Sequence, residues 1–265
     1  LDSSVKNTKV KTIQSVERAV EILELLCNSN AEMKLTDIAK KLDLNKTTVF
    51  HLIKTLELHG LVKQDAGSQS YTAGLKVLKL GNMVSENINL RRIAMPFMRN
   101  LSELYNETVH LTELTSDSNG YEGICIDKID STQSLMISSK IGRSFPLYCT
   151  ASGKLFLSGF SYERLASYEK SCPLIRYTPT TITSWDKIHE ELDFIRKNEC
   201  SYDNEEFDLG VYCIAAPIYD YNKEISAVMS ISIPLMRKTD DYITRITKDL
   251  KDCSKKISLN LGYRE

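Results

Sequence analysis

The chain has 265 residues, 42% hydrophobic and 26% charged, with 34 basic side chains against 35 acidic ones and a formal net charge of −1. This composition excludes a disordered tail, a fibre and a disulfide scaffold, and the length fits two domains better than one. No apolar run approaches the roughly 20 residues of a membrane span, so no membrane partner is expected.

The seven Cys, at positions 27, 125, 149, 172, 200, 213 and 253, include no C-x-x-C pair. Neither a metal site nor a redox pair is therefore expected, and no cofactor. An odd cysteine count without a leader segment predicts reduced thiols and a cytoplasmic protein.

In chain order, a first helix is predicted from Ser15 as N-cap to about Cys27, with Val16, Ala19, Val20, Leu23 and Leu26 as its buried stripe. Thr36 reads as the N-cap of a short second helix carrying Ile38, Ala39 and Leu42 on one face. Asp43-Leu44-Asn45 turns the chain. Asn45 then caps a third helix that runs to about His59 and is closed by Gly60. Val49, Leu52, Ile53 and Leu56 share its inner side. Thr47, Phe50, His51 and Lys54 point away, and hydroxyl, imidazole and ammonium groups suit the base edges and phosphates of a DNA major groove.

Leu61 to Gln64 and Ser70 to Thr72 bracket the polar loop Asp65-Ala66-Gly67-Ser68-Gln69, as in a hairpin wing. Helix, turn, helix and hairpin in this order predict a winged helix-turn-helix. From Lys34 to Gln64 six Lys face only three acidic residues, and Lys6, Lys9 and Lys11 add a basic arm. A small basic face on a neutral protein fits a DNA footprint. The expected contacts are Lys46, Thr47, Thr48, Phe50, His51, Lys54, Lys63, Ser68 and Gln69, with double-stranded DNA as the partner.

A boundary is expected near residues 82–88. A helix from Leu90 to about Tyr105 follows, with a kink or restart at Pro96. From Glu107 the period changes, and short strands are predicted around Val109 to Leu114, Ile124 to Ile126 and Leu135 to Ile137. Gly153 to Gly159 and Trp185 to Lys197 read as helices. Tyr212 to Tyr219 and Ile225 to Ile233 read as strong strands, and a helix from about Asp240 to Leu261 closes the chain. The pattern predicts an α+β domain with an antiparallel sheet.

These residues resemble one family along nearly the whole chain. Ser15-Val16-Glu17-Arg18-Ala19, the run Thr47 to Leu56, Gly60-Leu61-Val62, Tyr71-Thr72-Ala73-Gly74 and Leu80-Gly81 are similar to IclR-type transcriptional regulators. So are the blocks Gly142 to Lys154 and Asp203 to Ile218. The resemblance implies a winged domain (10–82), a linker helix (83–105) and a GAF-like effector-binding domain (106–265), assembled as homodimers or homotetramers on a pseudo-palindromic operator. Where the family commonly carries Arg this chain has His51, and where Ser is usual it has Thr47.

The resemblance also implies a small organic acid as effector, held by Ala151, Ser152, Asp203, Cys213, Ser230 and Ser232, with Ile137 and Phe145 as apolar walls. The chemistry is sensible, because the first turn after Ala151 offers unpaired N–H donors to an anion. Ser230 and Ser232, two apart on a strand, share one face. The acidic cluster Asp203, Glu205, Glu206 and Asp208 lacks the spacing of a calcium loop and reads instead as a solvated strand edge.

No enzyme signature stands out. Gly153-Lys154 is followed by Leu155 where a phosphate loop needs Ser or Thr, and His189 has no second His at metalloprotease spacing. Two alternatives stay open: a hydrolase using Cys213 with His110, and a C-terminal domain that only assembles oligomers.

Overall fold

The structure, a computed structural model, describes residues 12–264 except 30, 88, 118, 119 and 138. The basic arm of Lys6, Lys9 and Lys11 lies outside the described residues. The chain divides into two compact units, residues 1–87 and 88–265.

The first unit holds α1 (Gln14–Asn28), α2 (Leu35–Lys41), α3 (Lys46–Leu58), the hairpin β1 (Val62–Gln64) and β2 (Tyr71–Ala73), and α4 (Leu75–Asn87). Its core joins Ile22 and Leu26 of α1 to Ile38, Val49, Ile53, Leu56, Val62 and Tyr71. The predicted stripe of α1 is rotated. Val16 and Val20 are exposed and Ile22 is fully buried, because α1 meets α3 and β2 along one side only. Two expected caps also differ. Helix α1 starts at Gln14 after Ile13, so Ser15 lies within its first turn. Helix α2 starts at Leu35, so Thr36 lies inside it, and the Lys34 carbonyl accepts the first helical bonds from Asp37 and Ile38. Asn45 occupies the N-cap position of α3 with extended backbone, and its side chain makes no capping bond.

The second unit opens with α5 (Asn89–Tyr105), which continues through Pro96. A six-stranded antiparallel sheet follows, in the order β5-β4-β3-β8-β7-β6. Its strands are β3 (Thr108–Asp117), β4 (Gly120–Ile129), β5 (Ser144–Phe145), β6 (Ser201–Asn204), β7 (Val211–Tyr219) and β8 (Ile225–Pro234). Helices α6 (Ala151–Ser158), α7 (Tyr162–Ser171) and α8 (Trp185–Asn198) pack on one face, and α5 and α9 (Asp240–Asn260) cover the other. Strand β6 and helix α7 were not anticipated; the apolar positions of α7 are few, with only Leu165 and Tyr168 buried.

Strand alternation assigns the two faces. Ala227, Met229, Ile231 and Ile233 of β8, Tyr212, Ile214, Ala216 and Ile218 of β7, and Val109 and Leu111 of β3 build one apolar core with α5 and α9. Their neighbours Ser230, Ser232, Cys213, His110 and Thr112 therefore point to the α6 side. The run around Leu135 and Ile137 is not a strand. Residues 130–137 and 139–143 are irregular, and side chains take carbonyls there instead: Thr108 Oγ1 donates to Ile137 O and Arg237 to Leu135 O, both at 3.1 Å. Among the described residues no helix is long and apolar enough to cross a membrane, and all seven cysteines are free thiols.

Candidate functional site

Two surfaces carry chemistry, one on each unit. On the first unit Thr47, Phe50, His51 and Lys54 recur at helical spacing along α3 and are exposed, as is Lys46 at its start; Thr48 is half-buried. Phe50 is 43% exposed, too much for a core aromatic. It meets His51 edge to face at 5.6 Å, with the Lys54 ammonium 5.9 Å from its ring centre. Lys54 also pairs with Glu57 at 2.7 Å and reaches Gln64 at 3.3 Å. The wing is built on Asp65, whose Oδ1 accepts from Gly67 N at 3.0 Å and Ser68 N at 2.7 Å. Gln69 takes φ 57°, turning the chain back into β2. Lys63, Ser68 and Gln69 are exposed, and Ser68 Oγ donates to Glu32 at 2.7 Å.

On the second unit, a cleft partly open to solvent lies between the sheet and the start of α6. All eight residues expected there line it: Ile137, Phe145, Ala151, Ser152, Asp203, Cys213, Ser230 and Ser232. Cross-strand register accounts for the convergence, since Asp203 pairs with Cys213 and Cys213 with Ser232. The start of α6 is fixed by Thr150, whose hydroxyl accepts from Gly153 N at 3.1 Å. Gly153 is obligatory there, because a Cβ would stand 2.3 Å from the Leu147 backbone. Among the described residues the N–H groups of Ala151 and Ser152 and the Ser230 hydroxyl have no hydrogen-bond partner.

The acidic cluster differs from the solvated edge expected of it. Asp203 and Glu206 are buried. Burial pushes the Asp203 carboxyl up to about 7, against the opposing pull of the Glu206 N–H that it accepts at 2.7 Å. Glu206 pairs with the fully buried Lys154, which also meets Glu191 at 3.2 Å. Burial raises Glu206 too, with Lys154 opposing, and its Oε2 is left without a partner. The burial arises because the segment folds over α6, which no local pattern reveals. Among the described residues no group of His, Cys, Asp and Glu could hold a metal ion.

The cleft adds groups that the sequence reading left without a ligand role, notably His110, Ser139, Lys140, Arg143 and Phe207. Arg143 lies over the Phe207 ring at 5.7 Å. His110 and Cys213 do share the cleft, yet they form no nucleophile–base pair. Strand β8 separates them, so their backbones are roughly 10 Å apart. His110 Nε2 bonds Ser139 Oγ at 2.7 Å, and Cys213 Sγ bonds Ser232 Oγ at 3.1 Å. Burial, reinforced by Asp203, drives the Cys213 thiol well above its usual range, away from a reactive thiolate.

A winged helix with a basic and aromatic outer face, joined to a unit that carries a polar cleft, defines a DNA-binding regulator. The comparisons agree. The family described as "IclR helix-turn-helix domain" matches residues 15–66, and "Bacterial transcriptional regulator IclR C-terminal" matches residues 82–259. The chain is 32% identical over 251 residues to the HTH-type transcriptional regulator XynR of Escherichia coli, covering 95% of this chain and 98% of that one. The crystal structure of the Thermotoga maritima IclR superposes with a TM-score of 0.72 at 32% identity, over 95% of this chain and 100% of that one. An IclR homologue from Microbacterium hydrocarbonoxydans, complexed with 4-hydroxybenzoate, shares the fold with a TM-score of 0.79 at 19% identity, over 93% and 98%. The protein belongs to the IclR family of bacterial transcriptional regulators.

Proposed function

We propose that the protein binds a pseudo-palindromic duplex as a dimer or tetramer, through α3 and the wing, and that a small organic anion in the cleft sets its DNA affinity. The observation that carries the effector reading is the cleft itself. Residues from separate segments converge on one concave, partly open cleft, the usual setting of a small-ligand site. It offers unpaired N–H donors at a helix start and the Arg143 guanidinium, which together favour a carboxylate.

Asp203 selects within the acids. A carboxylate beside an ionised Asp203 would be repelled, so the protonated carboxyl is the binding form, or it accepts from a ligand hydroxyl. Hydroxy acids and hydrated keto acids suit this better than plain carboxylates. The Microbacterium protein is complexed with 4-hydroxybenzoate, itself a small carboxylate. The ligand shifts DNA affinity only by its differential binding to two arrangements of the DNA-reading helices, typically about 1–3 kcal/mol.

A thermal-shift screen of small carboxylates tests the reading, because a ligand of the native state raises Tm. For an acid that stabilises, the shift should shrink as pH rises through about 7, where Asp203 ionises. Ser230→Leu with Ser232→Leu should abolish the shift while unliganded operator binding persists. A shift that survives both substitutions at the same concentration would place the ligand elsewhere.

A further inference from the structure

One half of the cleft lies beyond the polar residues that the resemblance singles out. Ala151, Ser152, Asp203, Cys213, Ser230 and Ser232 gather where α6 packs over β6, β7 and β8. The cleft continues onto β3 and β4 along His110, Thr112, Cys125 and Ser139. Asp203 and His110 stand three strand spacings apart, roughly 14 Å. A three-carbon acid, with bonds near 1.5 Å, spans only about 5 Å and would leave the β3 end unfilled.

His110 dominates that end. It is buried, stands opposite Ser230 on β8 and Lys128 on β4, and bonds Ser139 Oγ through Nε2 at 2.7 Å. The Lys128 ammonium is already taken by Asp130 Oδ1 and Ser139 O, each at 2.7 Å. Among the described residues nothing hydrogen-bonds the second ring nitrogen. Burial, and then Lys128, pulls the imidazole down to about 4, so it is neutral near pH 7. A neutral imidazole has one donor and one acceptor nitrogen, and the Ser139 hydroxyl can rotate to serve either tautomer. The open nitrogen therefore matches a hydroxyl or a carbonyl, and without charge it offers little to a second carboxylate.

We propose that His110, set by Ser139, is a specificity-determining residue that reads a neutral hydroxyl or carbonyl at the end of the bound acid remote from its carboxylate. The proposal rests on the anion-binding reading of the cleft and deepens it. A purely structural role would be to pin the irregular connection that carries Ser139, but Thr108, Lys128 and Arg237 also bond Ile137, Ser139 and Leu135 there. Pinning alone affects stability and leaves ligand preference untouched.

The test is calorimetric titration of the full chain with matched acids: 4-hydroxybenzoate against benzoate, and 5-hydroxypentanoate and 4-oxopentanoate against pentanoate. In the wild type at least one polar member should bind about tenfold more tightly than its plain partner, the worth of one well-made hydrogen bond. His110→Leu should bring that ratio close to one by weakening the polar acid alone, and His110→Asn should restore part of it. A ratio retained in His110→Leu, or a ratio near one in the wild type, overturns the proposal. Should His110→Leu not fold, Ser139→Ala and His110→Asn carry the same comparison, and an unchanged ratio in both is equally fatal. If no acid binds the wild type, the anion-binding reading falls and this proposal with it. Binding of plain and polar acids alike removes only the role of His110.

Discussion

The outer face of α3 and the cleft assemble their polar side chains by opposite means. On α3 these side chains belong to one short stretch of sequence and stand in water, where charge is cheap to hold and interactions are weak and screened. In the cleft they come from β3, β6, β7, β8 and the start of α6, and they are buried. Burial there drives Asp203 up to about 7 and His110 down to about 4. An exposed surface tolerates substitution and reads its partner by addition of small terms. A buried one is specific because each unpaired group is expensive, and it is fragile for the same reason.

The contrast is broken most severely at Lys154. Its ammonium is fully buried behind the cleft and compensates Glu206. Lys154→Met should cost about 3–5 kcal/mol in urea unfolding, since it leaves a buried carboxylate without its partner. Burial already raises Glu206 above its ordinary value, so its folded form favours the proton more than the unfolded chain does. The loss should therefore grow as pH rises past the unfolded carboxylate range and be least in mild acid. A uniform loss below 1 kcal/mol would show that water reaches Glu206.

An intermediate effect is expected on α3. Thr47→Ala with Lys54→Ala should weaken operator binding by about 1–3 kcal/mol if either makes a good base contact, with little change in Tm. In the free protein Lys54 is held by Glu57 and Gln64, so part of its binding energy goes into leaving them. Unchanged affinity in a gel-shift titration would move the reading face away from these residues.

The smallest effect sharpens the comparison on the wing. Asp65→Ala removes the acceptor for Gly67 N and Ser68 N in an exposed loop. A small Tm loss is expected, since the bonds lie in water and the freed N–H groups are rehydrated. A loss as large as that of Lys154→Met would mean that the wing is part of the fold's core and not a surface device.

The sequence by itself determined the three helices and the hairpin of the winged domain, though not α4 or the caps of α1 and α2. Val49, Ile53 and Leu56 recur with the helical period, so the outer face of α3 follows from local spacing alone. It erred where burial depends on what lies alongside, as with Val16, Val20 and Ile22 of α1, because periodicity locates a stripe without naming the neighbour that covers it. The strong strands β7 and β8 were equally legible from their length and alternation. The cleft was legible only through the family resemblance, since Asp203, Cys213 and Ser232 lie ten and nineteen residues apart and meet through strand register. Tertiary structure alone decided that Asp203 and Glu206 are buried, that Leu135 and Ile137 lie in an irregular connection, and that His110 bonds Ser139 at one end of the cleft. Those outcomes depend on desolvation and on contacts between distant segments. Neither is encoded in the composition or the period of any single stretch of chain.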